Sequence, residues 1–148
     1  GFPTYVKVNA QADYLIANGA ECEPLLRVDQ QLMIARASDL IEGMELAGEA
    51  VGASHMVIGL KKKYTGAIEA LRTEIARRDS TIELFLLGSY YPAGDEHVLL
   101  HEVTGRVIPE NGIPLDVGVV VSNVGSLINI ARAARSASAD SDAPTLLA

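Results

Sequence analysis

Apolar residues fall along the chain in two alternating rhythms. Tyr14-Leu15-Ile16-Ala17 is a short apolar run closed by Asn18-Gly19, which predicts a buried strand ending in a loop. From Asp29, placed as an N-cap, a helical pattern runs to about Ala50. Its apolar positions Leu32, Met33, Ala37, Leu40, Ile41, Met44 and Ala47 recur at spacings of three and four. Gly43 and Gly48 weaken that helix and mark candidate points of close packing, and Gly52 is the expected stop. Met56 to Leu60 reads as a second buried strand, followed by Lys61-Lys62-Lys63 as a solvated strand end, with a contact to an acidic partner as the lesser reading. A helix then carries Ile68, Leu71 and Ile75 on one face, with Arg77 and Arg78 complementing the dipole of its last turn. Thr81 to Leu87 is a third strand.

After Gly88 the rhythm changes. A turn over Tyr90–Glu96 leads into a short helix, Asp95 to Val103, and Ile108 to Pro114 reads as loop. Gly118 to Val121 is a fourth strand, and Asn123 is placed to cap a last helix with Val124, Leu127, Ile128 and Ile130 as its apolar face. From Arg135 onward Ser, Ala, Asp and Pro dominate, the composition of a linker. Strands alternating with helices predict an α/β fold with a mainly parallel sheet. The strands are nearly continuous apolar runs, so helices should cover both faces.

Composition narrows the function. The chain has 148 residues, 49% hydrophobic and 21% charged, enough for one packed domain. Its net charge of −7 argues against a nucleic-acid or anionic-membrane surface. No apolar run approaches the roughly 18 residues of a membrane span. The single cysteine, Cys22, cannot by itself hold an iron–sulfur cluster or an internal disulfide. It fits a reducing, cytoplasmic setting.

Ligands of open α/β sheets sit beyond the carboxyl ends of the strands. That rule selects three loops, Asn18–Glu23, Tyr90–Glu96 and Ser122–Ser126, all rich in hydrogen-bonding groups. They suit a polar heterocycle, and equally read as ordinary solvated turns. Glu21, Glu23, Asp95 and Glu96 give the first two loops an acidic character that would repel phosphate but accept hydrogen bonds from ribose or ring N–H groups, or bind a metal. A helix start near Asn123 offers N–H donors to an anion. The sequence carries neither a Walker motif nor G-x-G-x-x-G. His97 and His101 stand at i, i+4 and share a helix face, but two ligands do not make a zinc site, and no metal is assigned. Glu21 and Glu23 disfavour a thiolate at Cys22, and no catalytic nucleophile is assigned.

At these loops the chain resembles a known family. Gly1-Phe2-Pro3-Thr4 with Lys7, Asn18-Gly19-Ala20-Glu21-Cys22-Glu23-Pro24, Tyr91-Pro92-Ala93-Gly94-Asp95-Glu96, Val103-Thr104-Gly105-Arg106 and Gly118-Val119-Val120-Val121-Ser122-Asn123-Val124 occur in order. Together they resemble the C subunit of the Rnf electron-transport complex and the cobalamin reductase of propanediol-utilisation microcompartments. Val28 to Met33 leans toward the cobalamin-reductase branch. Both are related to the flavoprotein subunit of respiratory complex I. The resemblance implies a Rossmann-like domain over residues 1–134 that binds FMN and NADH. By motif, FMN contacts fall on Lys7, Asn18, Glu21, Cys22, Tyr91, Gly94, Asp95, Ser122, Asn123 and Ser126, and NADH contacts on Phe2, Glu23 and Glu96. Phe2 would stack on nicotinamide, and Lys7 would offset phosphate charge.

The family pattern is not kept everywhere. Complex I flavoproteins have Asp where Ala20 stands, Asn where Ser122 stands and Glu where Gly125 stands. Their glycine-rich phosphate loop lies just before Gly-Phe-Pro-Thr, and only Gly1 of it is here. The chain is therefore expected to be an N-terminally truncated domain, with 135–148 a linker towards a downstream domain, holding FMN weakly and inactive alone. The implied parent is an NADH:acceptor oxidoreductase subunit. It passes electrons to iron–sulfur clusters outside this segment, and on to a cobalamin or ferredoxin acceptor. Its expected partners are NADH and downstream electron-transfer domains or subunits. Its expected setting is cytoplasmic, in a microcompartment or on the cytoplasmic face of a membrane complex. The alternative is a non-catalytic docking or assembly module that keeps the fold without flavin.

Overall fold

A computed structural model describes residues 11–20, 28–88 and 95–142. The elements are β1 (Tyr14–Asn18), α1 (Val28–Ala35), α2 (Ala37–Val51), β2 (His55–Lys61), α3 (Thr65–Arg78), β3 (Glu83–Leu87), α4 (Glu96–Thr104), a 3₁₀ turn (Pro114–Val117), β4 (Val119–Asn123) and α5 (Val124–Asp142). The strands form one sheet in the order β3-β2-β1-β4, and every pairing is parallel. Chain order reverses at β1, which lies between β2 and β4. This reversal creates a crevice beyond the carboxyl ends of β1 and β4.

Alternation along the strands sorts the core onto the two faces. Leu15, Ala17, Ile58, Leu60 and Val120 join Met33, Leu40, Ile41, Met44, Leu71 and Leu127 in one large buried cluster, which places α1, α2, α3 and α5 on that face. Ile16, Leu87 and Val119 join Leu99 and Leu100 in a smaller cluster under α4. Helices thus cover both faces, as expected, but unequally. Beside α4 an open groove of about 330 Å³ is lined by Tyr14, His55, Val57, Glu83, Phe85 and Val103.

Close approach explains two of the helical glycines. An ideal Cβ on Gly43 would lie 1.9 Å from the carbonyl oxygen of Leu127, so α2 and α5 cross backbone to backbone. One on Gly48 would meet Met56 Sδ at 2.5 Å. The stop at Gly52 is also as expected: at φ +72° its N–H returns to the carbonyls of Glu49 and Gly48, a left-handed cap.

The structure departs from the sequence reading in three places. The long helix expected from Asp29 to Ala50 is two helices, with Asp29 inside α1 rather than capping it. Arg36 separates them at φ −125°, ψ 35°. The apolar spacing of four, Met33 to Ala37, continues across the break, so the periodicity does not reveal it. Lys61 is not a solvated strand end: it is the last residue of β2 and only 8% exposed, whereas Lys62 and Lys63 are exposed. Residues 135–142, which composition assigns to a linker, continue α5 as helix. Arg135 pairs with Asp39 and Glu42 of α2, which ties that continuation to the fold.

Candidate functional site

The strand register places two of the expected ligand residues side by side. Asn18 ends β1, Asn123 ends β4, and the two are direct partners across the parallel ladder. On its other side Asn18 is paired with Gly59 of β2. Alternation sets Asn18 and Asn123 on the α4 face, with Ile16, Val119 and Val121. Ser122 is turned to the opposite face, with Val120. The switch point thus carries two asparagines on neighbouring strands, whose backbones lie about 4.8 Å apart.

Each carboxamide is fixed by the backbone that follows it. Asn18 Oδ1 accepts the N–H of Ala20 at 3.1 Å. Asn123 Oδ1 accepts the N–H of Ser126 at 3.0 Å, which caps α5 and is the role the sequence predicts. Oδ1 is thus engaged, while the exposed Asn123 amide keeps its N–H donors at the carboxyl end of β4. The other first-turn N–H groups of α5 begin at that end too. Ser126 is exposed in that turn.

Glycine keeps the floor shallow. Gly19 N–H bonds Gly59 O at 2.7 Å, and a Cβ on Gly19 would lie 2.9 Å from Met33 Sδ. A Cβ on Gly59 would meet Leu99 Cδ1 at 2.5 Å, so α4 sits directly on β2. That contact brings the α4 N-terminus to the carboxyl edge of the sheet. Asp95 is its N-cap, with Oδ1 accepting the N–H groups of His97 at 3.0 Å and Val98 at 3.2 Å. Asp95 is therefore occupied in capping, and Glu96 stands exposed in the first helical turn.

Lys61, which the sequence reading set in solvent, is buried near this end of the sheet. It pairs with Leu87, which packs under α4, so alternation puts Lys61 on the same face as Asn18 and Asn123. It stands two residues beyond Gly59, the β2 partner of Asn18. Its position at the end of an apolar strand was the available signal; the two lysines that follow it masked that signal.

Phe2, Lys7, Glu21, Cys22, Glu23, Tyr91 and Gly94 lie outside the described residues. The structure thus brings together Asn18, Asn123 and Ser126, sets Asp95 and Glu96 at the neighbouring helix start, and turns Ser122 away. His97 and His101 are exposed, and His101 Nδ1 lies 3.3 Å from Arg106 O. Among the described residues, no three His, Cys, Asp or Glu side chains are grouped to hold a metal ion. None of the described helices is long and apolar enough to cross a membrane.

The opposite, amino end of the sheet is pinned by different contacts. Tyr14 stacks on His55 with ring centroids 4.7 Å apart, and the Arg106 guanidinium lies 5.2 Å from the Tyr14 centroid. Arg106 also donates to Asp13 at 3.1 Å and to Val117 O at 2.7 Å.

Comparison with known proteins places this geometry. The family model described as "Nuo51 FMN-binding domain" matches residues 1–132. The cobalamin reductase PduS of Citrobacter freundii is 47% identical over 133 residues, 90% of this chain and 29% of that protein. The Na(+)-translocating ferredoxin:NAD(+) oxidoreductase complex of Acetobacterium woodii has a C subunit that is 42% identical over 134 residues, 88% of this chain and 30% of that protein. Among solved structures, a chain of an NAD+-reducing [NiFe]-hydrogenase in the H2-reduced state superposes with a TM-score of 0.74. It is 29% identical, over 89% of this chain and 27% of that one. The chain thus spans about three tenths of the length of these relatives. It belongs to the Nuo51 FMN-binding domain family.

Proposed function

We propose that this chain is the flavin-binding part of an NADH-dependent oxidoreductase subunit, delivering electrons to iron–sulfur centres and onward to an acceptor such as a corrinoid or a ferredoxin. The observation that carries the reading is the Asn18–Asn123 register pair at the topological switch point, beside the start of α5. The donor set fits FMN. Carboxamides can match both donors and acceptors on the isoalloxazine edge, and the α5 N-terminus with Ser126 suits a phosphate. When bound, FMN supplies the hydride and electron chemistry, and the protein orients and tunes it.

The residues divide that work. Asn123 holds its own carboxamide rigid through the capping bond, so its donors need no reorganisation on binding. Asn18 is held in the same way by Ala20 N–H. Glu96, exposed at the α4 start, is placed to accept hydrogen bonds from a dinucleotide ribose. Gly19 and Gly59 let backbone and helix approach closely enough to keep the crevice narrow. Phe2, Lys7, Glu21, Cys22, Glu23, Tyr91 and Gly94 complete the proposed ligand shell from the loops that the family motifs mark.

The test is an FMN titration followed by flavin fluorescence, on this chain and on its full-length parent, with NADH-driven dye reduction in the parent. Asn123→Ala is expected to weaken FMN about tenfold, the loss of roughly one good hydrogen bond. It should also cost about 1 kcal/mol of stability through the missing cap. A full-length parent that binds no FMN and reduces no dye would leave the docking-module reading in its place.

A further inference from the structure

We infer that Lys61 is the cation that faces the flavin ring and favours its reduced form; this rests on the FMN reading above. Lys61 is 8% exposed. Burying an ammonium costs free energy unless its surroundings hold it, and Lys61 is engaged within the fold, so its charge is kept at this face. The position is specific. Asn123, Asn18 and Gly59 form a row across β4, β1 and β2, and Lys61 lies on the same face two residues further on, at the carboxyl end of β2. Leu87, its register partner, sits in the cluster beneath α4, so Lys61 lies where the carboxyl edge meets the start of that helix.

The two ends of the row differ electrostatically. At β4 the N-terminus of α5, capped by Asn123, attracts a phosphate. Lys61 is two strands away, about 10 Å along the sheet, a distance that a ribityl phosphate tail can span. A phosphate seated at α5 therefore places the ring toward β1 and β2, and Lys61 at the ring end. The reduced isoalloxazine carries more negative charge than the oxidised ring. A cation in a partly desolvated crevice interacts more strongly with the more negative form. Asp95 and Glu96 at the α4 start oppose this effect, and the oxygen of Asp95 nearest the helix is already engaged by backbone N–H groups.

The experiment compares wild type with Lys61→Met, Lys61→Gln and Lys61→Arg in the FMN-loaded protein, with circular dichroism to establish folding. Affinities are measured for oxidised FMN, for FMN reduced anaerobically with dithionite, and for riboflavin. Lys61→Met should weaken reduced FMN about tenfold more than oxidised FMN, which lowers a two-electron midpoint potential by about 30 mV. Lys61→Gln should behave like Lys61→Met, and Lys61→Arg like wild type. The FMN-to-riboflavin ratio should stay constant. Equal weakening of both oxidation states in the charge-removing variants would overturn the inference. So would a loss confined to FMN over riboflavin, which would put the cation at the phosphate. Wild type binding neither flavin is a separate outcome: it removes the FMN reading, and this inference with it.

Discussion

Gly43 shows how one missing side chain sets a helix crossing. A Cβ there would lie 1.9 Å from Leu127 O, and that neighbour is backbone, so it cannot swing aside. Gly43→Ala is expected to lose at least 1–3 kcal/mol despite its better helix propensity, read as a lowered midpoint in urea. Glu74 supplies a pH-dependent contribution at the same scale. Its carboxylate is held below the usual range mainly by hydrogen bonds from Arg77, at 2.7 and 2.8 Å, against an opposing desolvation. A depressed carboxyl pKa stabilises the fold fully above the unfolded value, about 4.3 for glutamate. That stability is lost as pH falls through the folded value. Glu74→Gln should thus cost about 1 kcal/mol at pH 7, and the difference from wild type should shrink as unfolding is repeated at pH 4 and below.

Among the elements, α2 acts as a clamp. Its acids meet arginines from two other helices: Glu45 and Glu42 reach Arg78 of α3 at 3.3 and 4.0 Å, while Asp39 and Glu42 reach Arg135 of α5. These pairs are partly exposed and individually small. The Arg135 pair nevertheless has a local task, because Ala131 is the last core residue of α5 and the described residues after it are exposed. Arg135→Ala should change global stability by less than about 1 kcal/mol. It should also speed amide hydrogen exchange selectively after residue 132, measured by mass spectrometry. The extent of α5 was hard to read from sequence for the same reason. Beyond Ile130 no apolar period remains to signal a helix, and what extends it is a charge pair with a residue far away in sequence. The break at Arg36 was hidden in the opposite way, by a period that continued across it. Strands β1 to β4 and helices α3 and α4 were legible to within a few residues. Their apolar runs match one or both buried faces, and glycine, asparagine or aspartate marks the end of each except β2, which closes on Lys61.

At the scale of the molecule, parallel topology made the site legible before any contact was known. Three loops had to sit at the carboxyl ends of strands, and Asn18 and Asn123 do meet there. Side-chain facing was not legible in the same way. Ser122 and Asn123 were expected to act together, and adjacent positions on a strand point to opposite faces. Lys61 was hidden by its neighbours, since a run of three lysines reads as solvent even when the first is buried. The Asn18–Asn123 pairing also bears on how this chain tolerates length changes. One residue inserted within β4 ahead of Asn123 would leave a parallel ladder able to re-form with its hydrogen bonds intact. Yet it would carry Asn123 through the sheet to the opposite face. Variation by insertion and deletion should therefore be permitted in the outer loops and barred from these five-residue strands, even where the resulting protein still folds.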